Sequence, residues 1–244
     1  MLLSQRHLFN IPSDIIYLNT AFMSPLLNSV VKAISKGTKA KANPWQIKSS
    51  NFYFEAEKAR DLFSKLFNVK SDTIAIIPSA SYGIETAAKN LSHSLKKDIA
   101  ILDKQFPSNV YPWIRLAKEK NVKIRTIPID NNDLTSSILN NIDETCGIIS
   151  LPNVLWTTGQ AVDLIKVRKK CDDINATLVL DLTQSAGAMS TNFSIIKPDF
   201  AVVANYKWML GPYTTGFLYA DPKYHEGQPL EESWINRFDS SNFA

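Results

Sequence analysis

Short apolar runs rich in β-branched residues alternate along this chain with amphipathic segments of helical period. This alternation favours βαβ units, whose strands run parallel within one sheet. We predict strands at 73–77, 98–103, 122–129, 147–151, 177–182, 199–204 and 215–220, and helices at about 53–67, 82–95, 109–120, 133–141 and 162–174. The predicted fold class is therefore α/β, a doubly wound, mainly parallel sheet with helices on both faces.

The segment ahead of the first strand is also expected to be helical. Ser24 followed by Pro25 is a typical N-cap and first-turn pair, and the helix is expected to run to about residue 40. No repeat, low-complexity tract or linker divides the sequence. We therefore expect residues 1–244 to form one large domain that carries an N-terminal helical arm over about residues 1–45.

Composition excludes several other classes of protein. Hydrophobic residues make up 45% of the chain and charged residues 20%, and the net charge of +4 is spread along the sequence, so a nucleic-acid partner is not expected. No apolar run is long enough to span a membrane, and no membrane partner is expected. Cys146 and Cys171 match no metal-ligand spacing, so we expect no metal and interpret them as reduced thiols of a cytoplasmic protein.

Two charged residues follow predicted strands at the positions where parallel sheets bind ligands. Asp181 ends the strand TLVLD, and Lys207 comes shortly after DFAVVA, between Tyr206 and Trp208. Burial there would favour the neutral, nucleophilic form of the lysine. Each residue also has an ordinary interpretation, since an aspartate can simply cap the next helix and a lysine stem can lie over surface aromatic rings.

Three further elements follow other strands. Ser79 and Ser81 open a helix in IPSASYGIETAA, where hydroxyls and free backbone N–H groups can hold a phosphate or can simply cap the helix. Phe106 in DKQFPSNVYPW can stack on a planar ring or belong to the core, and Trp156 lies in the loop LPNVLWTTGQ. All five elements lie at the same end of the strands and match the needs of one cofactor, pyridoxal 5'-phosphate (PLP).

The runs LDLTQSAGA, PDFAVVANYKWMLGPYTTGFLYA, FPSNVYPW, LPNVLWTTGQ and YLNTAFMSPL resemble the class V aminotransferase fold. The resemblance is to the isopenicillin N epimerase-like, kynureninase-like and cysteine desulfurase-like group. It implies the type I fold of PLP-dependent transferases. It also implies a PLP-dependent enzyme of aminotransferase or lyase type that acts on an amino acid or an amine.

The resemblance implies two catalytic residues. Lys207 would hold the cofactor as a Schiff base, and Asp181 would pair with the pyridine nitrogen. Gln184 would donate a hydrogen bond to the phenolic oxygen of the ring. Kynureninases carry a histidine at the position of Gln184, so this chain departs from that branch of the family.

The remaining cofactor contacts also come from the resemblance. Phe106 would stack on the ring, where cysteine desulfurases use a histidine, and Ser81 and Tyr82 would meet the phosphate. Tyr206 would add a phenol donor, and Trp156 would contact the ring or the substrate.

The family is typically homodimeric, and Thr214 or Thr215 would reach the phosphate of the partner subunit. In this family a small C-terminal domain usually supplies an arginine for the substrate carboxylate, and that domain is expected to be absent from these 244 residues.

The reaction stays open among transamination, elimination and epimerisation. An alternative is a truncated, catalytically silent relative that binds PLP or only pairs with another subunit. A nicotinamide-dependent dehydrogenase is disfavoured because the chain lacks the glycine fingerprint of that class.

Overall fold

The computed structural model describes residues 3–93, 95–240 and 242, and for Asn236 the backbone alone. The predicted domain range also includes Met1, Leu2, Ser94, Ser241, Phe243 and Ala244, which lie outside the described residues. The helices are α1 Asn28–Lys41, α2 Phe54–Phe67, α3 Ala80–Leu91, α4 Tyr111–Lys120, α5 Leu134–Asn140, α6 Leu164–Asp173 and α7 Phe193–Ile196. The strands are β1 Ile74–Ile77, β2 Asp98–Leu102, β3 Ile124–Ile127, β4 Cys146–Pro152, β5 Thr177–Asp181, β6 Phe200–Ala204 and β7 Gly216–Ala220.

All seven predicted strands are confirmed, each to within two residues at either end. Helix α3 ends four residues before the predicted boundary, and the short helix α7 was not predicted. The strands can be predicted from the sequence because buried parallel strands consist of continuous runs of β-branched residues. The residue at which a helix ends depends on local capping, and the periodicity of apolar residues does not predict it.

The strands form one sheet in the order β1-β7-β6-β5-β4-β2-β3. Strand β7 is antiparallel to both of its neighbours, and the other strand pairs are parallel. The carboxyl ends of β1, β2, β4, β5 and β6 therefore meet at one edge of the sheet, where β7 begins. In open α/β sheets this edge is the place where ligands bind.

Two apolar cores lie on opposite faces of the sheet. Helices α3 and α4 pack on one face, and α2, α5, α6 and α7 pack on the other. Side chains alternate between these cores along a central strand: Phe200 and Val202 of β6 face α3, whereas Ala201 and Val203 face the opposite core. The predicted mainly parallel sheet with helices on both faces is confirmed.

The prediction that Ser24 caps the first helix is wrong. Helix α1 begins at Asn28, after Leu27, and has no side-chain cap. The backbone N–H and the hydroxyl of Ser24 both donate to the carbonyl oxygen of Tyr206, 182 residues away in sequence. A capping serine must accept a bond from its own helix, and here a tertiary contact uses the hydroxyl as a donor instead.

In the part of the chain that the structure describes, no helix combines the length and the apolar character needed to cross a bilayer.

A glycine allows helix α3 to approach the sheet closely. A Cβ added at Gly83 would lie 2.5 Å from Val202 Cγ1 and 2.9 Å from Ile77 Cδ1. Gly37 in α1 is different, because an added Cβ would have no neighbour within 4 Å. The amino end of α3 therefore owes its position at the sheet edge to the missing side chain of Gly83.

We expect Gly83→Ala to lower the free energy of unfolding by about 1 to 3 kcal/mol, since overpacking outweighs the gain in helix propensity. The matched control Gly37→Ala should raise it by about 0.5 to 1 kcal/mol. Urea denaturation of both variants measures the difference. Equal effects of the two substitutions would contradict the close approach of α3.

Candidate active site

A cavity of about 280 Å³ opens at the carboxyl edge of the sheet. Loops after β1, β2, β4, β5 and β6 enclose it, together with the residues just before β7. Its lining is formed by Pro78, Ser79, Ala80, Ser81, Gln105, Phe106, Ser108, Pro152, Val154, Trp156, Asp181, Thr183, Gln184, Ala204, Tyr206, Lys207, Tyr213, Thr214 and Thr215. Every predicted site residue except Tyr82 is in this set.

Lys207 is buried in the cavity, with only 6% of its surface exposed. Its Nζ atom lies 5.3 Å from the centre of the Phe106 ring and 5.7 Å from the centre of the Tyr206 ring. Burial lowers the pKa of the Lys207 amine, and the nearby Asp181 carboxylate partly opposes that shift. The neutral amine, which is the nucleophilic form, is therefore favoured relative to an exposed lysine.

Asp181 is the last residue of β5, and 7% of its surface is exposed. Burial raises the pKa of its carboxyl group, whereas a 3.0 Å hydrogen bond from Thr183 N to Oδ1 and the charge of Lys207 act in the opposite direction. Thr183 Oγ1 also accepts a bond from Ala204 N at 3.1 Å. The loop that carries Asp181 is thus fastened to β6, the strand that leads to Lys207.

The Gln184 side chain is bonded at both ends of its amide. Nε2 donates to Ala21 O at 2.9 Å, and Oε1 accepts from Trp208 Nε1 at 2.9 Å. These partners fix the orientation of the amide at the cavity wall.

Hydroxyl groups gather at the start of α3, where the backbone N–H groups of the first turn also point. Ser79 Oγ accepts from Tyr82 N at 3.2 Å and lies 2.9 Å from Ser81 Oγ. Thr214 and Thr215 approach from the beginning of β7, and both line the cavity of this same chain. Tyr82 packs against the core on the α3 side instead of lining the cavity.

Aromatic rings form the cavity wall and its entrance. Phe106 and Trp156 meet edge to face, with ring centres 5.6 Å apart, and Trp156 Nε1 donates to Lys104 O at 2.9 Å. Tyr206 and Tyr213 have ring centres 4.6 Å apart. Burial is the main reason that the pKa of Tyr206 is raised, so its phenol stays a hydrogen-bond donor over a wide pH range.

Sequence reasoning missed Gln105 and Tyr213. Gln105 is buried, and its Oε1 accepts from Phe106 N at 2.7 Å. Nothing in the local sequence distinguishes this glutamine from an ordinary loop residue. Tyr213 follows a glycine and a proline within a turn, and only the fold places it beside Tyr206.

The sequence is similar to a known protein family over most of its length. The sequence model described as aminotransferase class-V matches residues 16–232. A probable cysteine desulfurase of Methanothermobacter thermautotrophicus is 28% identical over 212 residues, which cover 84% of this chain and 53% of that protein. Isopenicillin N epimerase of Streptomyces clavuligerus is 22% identical over 183 residues, covering 72% of this chain and 46% of that protein. The chain spans about half the length of these curated relatives.

Solved structures share the fold. The apo cysteine desulfurase of Thermococcus onnurineus matches with a TM-score of 0.79 and 22% identity, over 90% of this chain and 56% of that chain. A variant of the cystine C–S lyase C-DES, with glycine covalently linked to its PLP cofactor, matches with a TM-score of 0.81 and 21% identity. That match covers 91% of this chain and 60% of the lyase chain. The predicted type I fold is confirmed.

We expect Asp181→Asn to lower the pKa of the Lys207 amine further, because the substitution removes the charge that opposes the effect of burial. The neutral amine should then be present at lower pH. Competitive labelling of the PLP-free protein with acetic anhydride, followed by peptide mapping, gives the pH at which half of Lys207 reacts. That midpoint should fall in the variant.

Exposed Lys65 on α2 serves as the internal control, and its labelling should be the same in both proteins. An unchanged or higher midpoint for Lys207 in Asp181→Asn would show that the carboxylate does not act on the amine.

Proposed function

We propose that this chain, which belongs to the class V aminotransferase family, binds PLP in the cavity at the carboxyl edge of the sheet. The family is PLP-dependent. The observation that carries the proposal is the burial of Lys207 and Asp181 in one cavity, at the carboxyl ends of neighbouring strands. The protein is then an enzyme of aminotransferase or lyase type.

The residues present fit the chemical groups of PLP. The cavity is close to the lower end of the range for small-molecule sites, about 300 to 1,000 Å³. The hydroxyls of Ser79 and Ser81 at the α3 start suit a phosphate. An amine, a carboxylate, an amide and an aromatic ring line the same cavity, and these are the chemical groups that this cofactor requires.

Each contact that the resemblance implies, except that of Tyr82, is proposed for a side chain that lines the cavity. Asp181 would pair with the pyridine nitrogen, because a buried carboxylate is best stabilised by a cationic partner. Gln184 would donate to the phenolic oxygen through the second N–H of its amide. Phe106 would cover one face of the ring, while Ser81 and Tyr206 would supply further donors.

PLP, when bound, supplies an electron sink that weakens the bonds at the α-carbon of an amine. Lys207 would hold the cofactor through its amine and would carry a proton to or from the α-carbon of the substrate. Its lowered pKa suits this task, because a general base works best when its pKa is near the working pH. Phe106 and Trp156 would keep water away from that proton.

The substrate is proposed to be an amino acid or an amine. The relatives named above include a probable cysteine desulfurase and an epimerase. Transamination, elimination and epimerisation share the roles given to Lys207 and Asp181, so these residues support the common first steps of all three. The unpaired, buried Cys146 and Cys171 suit a reducing compartment, and we propose the cytoplasm.

We further propose that the described residues belong to the large, cofactor-binding domain, with an arm over about residues 1–45, and that the protein is a homodimer. Helix α1 has no buried residue in its 14 positions, although Val31 and Ile34 form an apolar stripe. Such a stripe is normally covered by a partner. In that dimer, Thr214 or Thr215 would also lie near the partner's cofactor.

Covalent trapping tests the cofactor assignment. Addition of PLP followed by borohydride should fix the pyridoxyl group on Lys207, as located by peptide mapping. Lys207→Arg should abolish that label, because guanidinium does not form the imine, while phosphate-dependent binding of PLP remains measurable by ultrafiltration. Label on another lysine of the wild-type chain, or none at all, would contradict the proposal.

Charged substitutions in the exposed apolar stripe of α1 test the proposed dimer. Val31→Glu combined with Ile34→Glu should raise the dimer dissociation constant by about a hundredfold or more, since charges would be buried in an apolar contact. Lys36→Glu, on the opposite side of the helix, is the control. Analytical ultracentrifugation measures both, and a wild-type monomer at micromolar concentration would contradict the proposed dimer.

A further inference from the structure

The turn Asn19–Ser24, here called the arm turn, is hydrogen-bonded to Tyr206, the residue before Lys207, and to the side chain of Gln184. Ser24 N and Ser24 Oγ donate to Tyr206 O at 2.9 and 3.2 Å. That carbonyl belongs to the peptide group directly before Lys207. The arm turn is therefore bonded to the backbone from which the Lys207 side chain extends.

A second connection runs through Gln184. Its Nε2 donates to Ala21 O, and its Oε1 accepts from Trp208 Nε1, both at 2.9 Å. A backbone carbonyl can only accept and an indole N–H can only donate, so a flipped amide would lose both bonds. The arm turn and the Trp208 indole thus fix the orientation of the Gln184 amide, with its nitrogen toward Ala21 and its oxygen toward Trp208.

Hydrogen bonds, and not an apolar core, hold the arm turn in place. Tyr17 Oη donates to Met23 O at 2.6 Å and closes the turn. Leu18 and Phe22 are 88% and 67% exposed, so neither anchors it by burial. Segments with few buried apolar contacts have low local stability. The order of the turn therefore depends strongly on its bonds to Tyr206 and Gln184.

We propose that the hydrogen bonds from the arm turn to Tyr206 and Gln184, here called the clasp, hold the site in its binding geometry. Ser24 and Trp208 are the positioning residues. Ser24 fixes the peptide before Lys207, and Trp208 fixes the Gln184 amide that meets the ring of the cofactor. This inference rests on the proposed binding of PLP. Because coupling between two sites is reciprocal, cofactor binding should stabilise the clasp by the same factor as the clasp strengthens cofactor binding.

Hydrogen exchange of the residue 24 amide tests the clasp without any cofactor. In the PLP-free wild-type chain this N–H should be protected, because it donates to Tyr206 O. Trp208→Phe should speed its exchange by about tenfold through loss of the Gln184 connection. Ser24→Ala should have a smaller effect in the same direction, and Ser24→Thr, which keeps the hydroxyl, should restore the wild-type rate.

Matched controls remove similar groups elsewhere. Trp45→Phe changes an exposed indole, and Ser137→Ala removes a hydroxyl that donates to Pro128 O at 2.6 Å. Neither should alter exchange at residue 24. Thermal unfolding of each variant identifies any that do not fold, and Ser24→Ala provides the test if Trp208→Phe is among them.

Measurement of cofactor affinity then shows whether Trp208 positions the Gln184 amide or only contributes to packing. Trp208→Phe should weaken PLP binding by about tenfold and leave the binding of inorganic phosphate unchanged, because Gln184 faces the ring and not the phosphate. In the wild type, PLP should slow exchange at residue 24. Equal losses of PLP and phosphate affinity in Trp208→Phe would overturn the positioning role.

The outcomes distinguish the clasp from the proposed function. If the wild-type chain binds no PLP, the proposed function fails, and exchange in the PLP-free chain still decides whether the clasp exists. If PLP binds but the residue 24 amide is unprotected, or Trp208→Phe leaves its exchange unchanged, the clasp is overturned and the cofactor assignment stands.

Discussion

The burial of Lys207 and Asp181 beside each other is the interaction on which the rest of the site depends. Removing either charge from water is costly, and each residue offsets part of that cost for the other. Asp181 ends β5 and Lys207 follows the adjacent parallel strand β6, and Thr183 is bonded to the last residue of each strand. A parallel sheet with its carboxyl ends at one edge holds such a pair without distorting either strand.

The surroundings of this pair determine what it can do. Lys207 is buried beside the Phe106 and Tyr206 rings, and this burial lowers the pKa of its amine relative to that of an exposed lysine. The start of α3 offers hydroxyl and N–H donors at the other side, and Gly83 lets that helix approach β6 closely enough to do so. One cavity at the sheet edge thus contains an amine with a lowered pKa and a group of hydroxyl and N–H donors.

Some elements could be predicted because their causes are local. Strand β6 lies between both cores and is apolar along its whole length, so its position follows from composition alone. Ser24 shows the opposite case. Its sequence context favours an N-cap, yet its hydroxyl bonds to a carbonyl 182 residues away. Tyr82 likewise follows Ser81 at the helix start, but the rotation of α3 directs its ring to the core.

By itself, the sequence determined the strands, the helices other than α7 and the residue types at each strand end, because periodicity and β-branched runs are properties of neighbouring residues. It also determined the resemblance that groups Lys207, Asp181, Gln184 and Phe106. Only the tertiary structure decided that Gln105 and Tyr213 join the cavity and that the arm turn bonds to Tyr206 and Gln184. Those contacts depend on strand order and helix rotation, which arise from packing between distant segments and leave no local pattern.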